Sequence, residues 1–200
     1  MTHGRIISTH GRRKDIMPRI TACSTLTFAL SSLQTALEHI ARYGFDRVEI
    51  ADMLTHTKHF SAHSSRTVDP VAVRELLERN GLTAIAANCA LVTIYEEGLG
   101  YEKVAAPRQS AAEREDVRKA KENVVFYKLH EPRQAEAYKA QALAHLDNLS
   151  VVGVPMVCLN VGRRAQMKDP DEELQAAAAV IDEVAENARR RGIRVVLEMP

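Results

Sequence analysis

The last twelve residues of this chain indicate how the molecule folds: RRRGIRVVLEMP, residues 189–200. The three arginines suit the carboxyl end of a helix, where the helix dipole favours cations, and Gly192 fits the left-handed position that closes a helix. Residues 193–197 form a short apolar, β-branched run, which is typical of a parallel strand covered on both faces. Glu198 follows directly. Sites in α/β proteins lie at the carboxyl ends of strands, so Glu198 is the first candidate site residue.

The same order of helix, glycine and apolar strand occurs four times along the sequence. The four glycines follow one another at intervals of roughly 40 residues, except where residues 90–132 enlarge one unit; they are Gly44, Gly81, Gly153 and Gly192. A strand–helix repeat of this size predicts a parallel α/β protein of the (β/α) TIM-barrel type, with about five of the eight strands of a barrel present. A five-stranded doubly wound sheet is the structural alternative.

Three more polar residues lie at or near the ends of predicted strands. They are Glu49, Asn88 and Asn160, and the predicted strands are residues 19–23, 45–50, 82–87, 154–159 and 193–197. The carboxyl ends of parallel strands meet at one edge of the sheet, so these side chains are expected to contact substrate there. Glu49 could equally order the barrel mouth through a salt bridge. The two asparagines could instead satisfy backbone groups where strands become loops.

Composition limits the classes of function. The chain has 200 residues, is 46% hydrophobic and has a formal net charge of +1, which fits one domain or part of a larger one. We predict a domain over residues 18–200 and a disordered extension over residues 1–17, with Met17 a second plausible start.

The balanced charge and scarce aromatic residues argue against nucleic acid and anionic membranes as partners. The three cysteines lack metal or disulfide spacing, so we expect a reduced, cytoplasmic protein that could form a homo-oligomer.

Two polar segments interrupt the repeat. Residues 90–132 include a charged run at 111–125 that predicts a helix, and this segment is expected to lie over the carboxyl-end face as a lid. His56, His59 and His63 have a spacing that could place them on one side of a helix and bind zinc. No cysteine or carboxylate completes that set, so a solvated loop is the preferred interpretation.

Two stretches resemble the xylose-isomerase-like TIM barrels, the superfamily of sugar phosphate isomerases and epimerases. ALEHIARYGFDRVEI, residues 36–50, is similar to the opening of these barrels, and GIRVVLE, residues 192–198, is similar to their fifth strand. The superfamily also includes inosose dehydratases and the apurinic endonuclease IV group. The resemblance covers about residues 19–200 apart from the enlarged segment, so it implies the amino-terminal portion of a barrel.

The resemblance also implies a role for Glu198. In the superfamily the glutamate at this position binds a divalent metal, and in the epimerases it is one of two acid/base carboxylates. It therefore implies a sugar isomerase or epimerase that uses Mn, Mg, Co or Zn and moves a proton next to the carbonyl of a small sugar or polyol. An inosose-type dehydratase or lyase is the alternative enzyme. A truncated barrel without catalytic activity, serving as a binding or interaction module, is the alternative from another class of function. Glu198 itself could instead simply pair with a lysine or arginine.

Two departures from the family pattern refine this expectation. The endonuclease-like members carry histidine ligands where this sequence has Asn88 and Asn160, and amides are poor zinc ligands, which argues against DNA repair. The family takes its remaining metal ligands from strands six to eight, which this sequence does not contain. We therefore expect the 200-residue chain by itself to be weakly folded or self-associated, and inactive on sugars.

Overall fold

The computed structural model describes residues 21–52, 59–60, 69–94, 124–161 and 170–198. These residues form seven strands, four α-helices and one short 3₁₀ helix at Thr25–Phe28. The strands are β1 (Cys23–Ser24), β2 (Arg47–Asp52), β3 (Thr83–Cys89), β4 (Val92–Ile94), β5 (Val124–Phe126), β6 (Met156–Asn160) and β7 (Arg194–Glu198). The helices are α1 (Leu33–Arg42), α2 (Pro70–Arg79), α3 (Pro132–Val152) and α4 (Pro170–Arg190).

Five of these strands form one parallel sheet in the order β1-β2-β3-β6-β7. Each strand lies beside the next parallel strand along the chain, without the reversal of order that defines a doubly wound sheet. The sheet therefore has TIM-barrel winding, as predicted. β4 and β5 form a separate antiparallel pair inserted between β3 and α3.

The core lies between the sheet and the apolar stripes of the helices. Val48 and Ile50 of β2 and Val157 and Leu159 of β6 are at most 1% exposed there, and the residues between them, Glu49 and Cys158, are less buried. The apolar stripe of α3 also lies in this core, because Tyr138, Ala142, Leu146 and Leu149 are each at most 1% exposed. Within the described part of the chain, the helices cover this face of the sheet, and the side chains at the intervening positions point to the other face.

All four repeat glycines have positive φ, as predicted: 86° at Gly44, 64° at Gly81, 85° at Gly153 and 72° at Gly192. At Gly153 the backbone N–H donates to Leu149 O at 3.0 Å and so closes α3. L-residues with a side chain rarely adopt this conformation. The reversal from helix to strand is therefore encoded locally.

The beginning of the sheet differs from the prediction. The predicted first strand, residues 19–23, is observed at Cys23–Ser24, and residues 1–20, with the predicted extension, lie outside the described residues. The 3₁₀ helix starts at once, and the Thr25 hydroxyl accepts a hydrogen bond from the Ala51 N–H at 2.9 Å. A side chain thus bonds to β2 where the backbone of β1 has already turned away.

The two polar segments also differ from the prediction where they are described. Val124 and Val125 belong to β5, not to the end of the predicted helix at 111–125, whose earlier residues lie outside the described part. His59 and Phe60 are each 1% exposed, so a solvated loop is wrong at these positions. His59 Nε2 bonds to Ser31 O at 2.9 Å, which attaches the β2–α2 connection to the start of α1. His56 and His63 lie outside the described residues.

Candidate active site

The ends of β6 and β7 place Asn160 beside Glu198. Each is the last residue of its strand, and the two are direct partners in the parallel register. Val157 and Leu159 are buried against the helices, whereas Asn160 is half-buried and Glu198 is exposed. Because successive side chains of a strand point to opposite faces, Asn160 and Glu198 share the face that the helices leave free.

A second row of side chains lies two residues earlier on the same face. Cys158 of β6 is paired with Asn88 of β3 on one side and with Val196 of β7 on the other, and Asn88 is paired with Ala51 of β2. Asn88 and Cys158 are half-buried. The register therefore places three of the candidate polar residues and one thiol on one face, across three neighbouring strands.

A β-bulge in β3 is needed to place Asn88 there. Val48 is paired with Ala84, but Glu49 is paired with Ala86, so Ile85 is an extra residue in β3. An extra residue reverses which face the following side chains occupy. If β3 paired without the bulge, Ile85 would lie opposite Glu49, and Asn88 would lie on the same face as Val48, in the core against the helices.

Glu49 lies in the middle of β2, not near its end as predicted. The strand runs on through Asp52, because Ala51 and Asp52 continue to pair with Asn88 and Cys89. The half-buried Glu49 is paired with Ser24 and Ala86 on the free face.

The negative charges of Glu198 and Glu49 both affect the pKa of the Cys158 thiol. Its pKa is raised above the usual range by burial first, then by the negative charge of Glu198 and then by that of Glu49. Like charges disfavour a thiolate between them. Both carboxylates therefore act on the same small region, although Glu49 lies two strands away from Cys158 and Glu198 lies on the neighbouring strand.

Sequence analysis did not place Cys158 among the candidate site residues. The available signal was its position two residues before Asn160 in a strand, because residues at that spacing share a face. All three cysteines are free thiols: Cys89 is buried, and Cys23 and Cys158 are half-buried.

The donors on this face suit a hard divalent ion in kind but not in number. Glu198 offers carboxylate oxygens and Asn160 an amide oxygen, whereas such ions take six or more ligands. Within the described ranges, no three histidine, cysteine, aspartate or glutamate residues lie close enough to hold a metal ion together. These residues could supply one side of a ligand shell.

No helix in the described part of the chain is long and apolar enough to cross a membrane.

No family model matches the sequence, and no curated protein matches it. Solved structures match its fold. The IOLI protein with a bound zinc atom has a TM-score of 0.58 at 16% identity, over 90% of this chain and 51% of that one. D-allulose 3-epimerase from Methylomonas sp. has a TM-score of 0.57 at 18% identity, over 88% of this chain and 50% of that one.

A third match is a xylose isomerase domain protein from Planctomyces limnophilus, with a TM-score of 0.51 at 16% identity, over 88% of this chain and 51% of that one. At these identities the likeness concerns the fold. The sequential parallel strand order agrees with it. This chain therefore has the fold of the xylose-isomerase-like TIM barrels and spans about half the length of the structures it matches.

Proposed function

We propose that this chain supplies the first five strands of a sugar isomerase or epimerase, with Glu198 as an acid/base residue. The observation that carries the proposal is the pairing of Glu198 with Asn160 at the ends of β7 and β6. The effect of a second carboxylate, Glu49, on the same neighbouring thiol supports it. The matched structures include a D-allulose 3-epimerase, which supports a small sugar as the substrate class.

The chemistry requires a base beside a carbon atom that carries a proton next to a carbonyl group. Isomerising or epimerising a ketose begins with removal of that proton, and a positioned carboxylate can accept it and return it. Glu198 is exposed at the end of its strand and so is accessible to a substrate. In this proposal Asn88, Asn160 and Glu49 hydrogen-bond the sugar hydroxyls and fix which carbon faces Glu198.

We further propose that Glu198 is one ligand of a divalent ion, either Mn, Mg, Co or Zn. When bound, such an ion would polarise the substrate carbonyl oxygen. The bound zinc of the IOLI protein supports this class of cofactor. Its other ligands would have to come from outside the described residues, because the described ones do not complete a site.

The test compares Glu198→Gln with Glu75→Gln, a matched control on the exposed surface of α2. Because the chain spans about half of the matched structures, turnover of a panel of ketoses and polyols is measured on a protein that joins this sequence to the remaining strands. Manganese binding is measured by calorimetry on the 200-residue chain and on this longer protein. We expect Glu198→Gln to abolish turnover and weaken manganese binding, and Glu75→Gln to preserve both.

Product analysis separates the alternatives. Epimers or isomers as products support the proposal, and loss of water from a polyol supports a dehydratase. An unchanged rate in Glu198→Gln would overturn the role of this carboxylate. No turnover of any substrate by the longer protein would support a barrel without catalytic activity.

A further inference from the structure

A buried polar cluster lies behind β3, on the side of the sheet opposite the candidate site. Cys89, the last residue of β3, has its Sγ atom 2.6 Å from His145 Nε2 on α3. Both residues are 1% exposed. Cys89 directly follows Asn88, so this contact joins the strand end that carries a candidate site residue to the helix behind it.

Three polar atoms on α3 remain without a hydrogen-bond partner among the described residues. They are Tyr138 Oη, Gln141 Oε1 and His145 Nδ1, and each is buried. Residues spaced by three, four and seven positions share one stripe of a helix. Tyr138 and His145 are each 1% exposed, so bulk water does not reach them. Buried polar groups in folded proteins almost always have a partner, so this stripe requires one.

The hydrogen-bonding needs of these atoms identify the class of partner. If the Cys89 thiol donates to His145 Nε2, then Nδ1 carries the proton and needs an acceptor; if Nε2–H donates to sulfur, Nδ1 needs a donor. The Tyr138 hydroxyl can do both, and Gln141 Oε1 accepts only. A water molecule donates and accepts, so it satisfies every one of these combinations.

The surroundings favour a small neutral ligand. Burial lowers the pKa of His145 to about 3, so its ring is neutral and does not attract an anion. Burial, with a smaller contribution from Cys89, raises the pKa of Tyr138. The Phe60 ring lies 5.3 Å from the His145 ring, and the Tyr127 ring lies 5.6 Å from the Tyr138 ring, measured between centroids. Each of these two rings therefore packs beside one member of the cluster.

We propose that Tyr138, Gln141 and His145 form an internal water site between α3 and β3. The bound water completes the hydrogen bonds around the Cys89–His145 contact. It thereby fixes the end of β3 against the helix layer. Buried waters of this kind make about three hydrogen bonds to otherwise unsatisfied groups, and three such atoms lie along this stripe. The proposal does not depend on the proposed enzymatic function.

The test uses the 200-residue protein and two matched substitutions. Tyr138→Phe removes the buried hydroxyl, and Tyr127→Phe removes the hydroxyl of its half-buried ring partner. Loss of a satisfied buried hydrogen bond lowers the folding equilibrium constant by about three- to tenfold. Deletion of an unsatisfied hydroxyl raises it. We expect the decrease for Tyr138→Phe and a smaller change for Tyr127→Phe, measured by urea unfolding.

Water is detected directly by nuclear Overhauser transfer from solvent to the side chains of selectively labelled His145 and Tyr138. We expect transfer of the sign that marks a long-lived water molecule, with loss of part of it in Tyr138→Phe. An unchanged or increased stability of Tyr138→Phe would overturn the proposal. So would the absence of transfer from water, because a decrease in stability would then mean a partner within the protein.

Discussion

Asn160 and Glu198 are the last residues of two neighbouring parallel strands, and the register pairs them directly. Two residues earlier on the same strands, Cys158 is paired with Val196. The free face of the sheet therefore carries an amide and a carboxylate at its rim and a thiol below them. This arrangement permits tests that do not depend on the identity of the substrate.

The alkylation rate of Cys158 should report the two carboxylates. Their charges help to raise the pKa of its thiol, which lowers the fraction of reactive thiolate at a given pH. Glu198→Gln and Glu49→Gln should each lower that pKa and speed alkylation by iodoacetamide at pH 8 by about two- to fivefold. The increase in alkylation rate should be larger for iodoacetate, because the carboxylates also repel this anionic reagent. Rates are measured for each cysteine by mass spectrometry after proteolysis.

Cys23 provides the internal control for Glu198→Gln. It lies on β1, at the opposite edge of the sheet from β7, so its alkylation rate should stay constant. Glu75→Gln on α2 should change neither rate. An unaltered rate at Cys158 in both glutamate variants would contradict the placement of the carboxylates.

Thr25→Val should destabilise the fold, because it removes the acceptor of the buried Ala51 N–H. The hydroxyl lies 2.9 Å from that nitrogen, and Thr25 is fully buried. Leaving a buried N–H unsatisfied costs about 1–3 kcal/mol. Thr25→Ser keeps the hydroxyl and is the matched control, with a smaller loss expected from the missing methyl group. Urea unfolding of both variants decides, and an unchanged stability of Thr25→Val would contradict the contribution of this hydrogen bond.

Gly153→Ala should cost about 1 kcal/mol of folding free energy because of backbone strain. φ at Gly153 is 85°, and no atom lies within 4 Å of the position that a Cβ would occupy, so a steric clash does not contribute. Gly153→Asn should cost less, since asparagine tolerates the left-handed region better than alanine. The midpoints of thermal unfolding test this order. Alanine as stable as glycine would mean that the turn relaxes without strain.

Stability should fall as the pH drops from about 6.5 toward 3, partly because of His145. Burial lowers the pKa of His145 from 6.5 to about 3, so protons bind the unfolded state first in this range. The contribution of neutral His145 to the free energy of unfolding is complete above pH 6.5 and is lost progressively below it. One histidine gives a slope of up to about 1.4 kcal/mol per pH unit. Burial also lowers the pKa of His59, which acts in the same direction.

His145→Gln should flatten this pH dependence, since glutamine does not titrate. His39→Gln is the control: His39 stacks on Phe28 and Tyr43 at the surface of α1, and its replacement should leave the slope in place. Unfolding free energies are compared at pH 7 and pH 4.5. The same slope in His145→Gln and in the unmodified protein would show that His145 does not cause it.

Short-range chemistry made several features predictable from the sequence. A glycine after an apolar helical stripe, followed by a β-branched run, specifies a helix, a left-handed residue and a strand through contacts within a few residues. The four positive φ values confirm this at each repeat. The start of α1 is likewise set by a contact within three residues, since Ser32 Oγ accepts a hydrogen bond from the Thr35 N–H at 3.1 Å. Strand ends were misplaced by one or two residues, because pairing with a neighbour decides where a strand stops.

The candidate site shows where local patterns were insufficient. The sequence indicated Glu198, Asn160 and Asn88 as residues at strand ends, and their roles remain predictions. It gave no sign of the bulge at Ile85, although this shift in pairing decides which face Asn88 occupies. It also did not indicate that the Cys158 thiol lies within electrostatic reach of Glu49 and Glu198.

The sequence by itself determined the repeat of helix and strand, the turns between them and the residue types at the strand ends. These depend on backbone conformation and on apolar periodicity, which neighbouring residues establish. The tertiary structure decided the strand order, the register and the bulge, and thereby which polar side chains share a face. These features arise from hydrogen bonds between strands that are distant in sequence, and a shift of one residue in that pairing moves every side chain to the other side of the sheet.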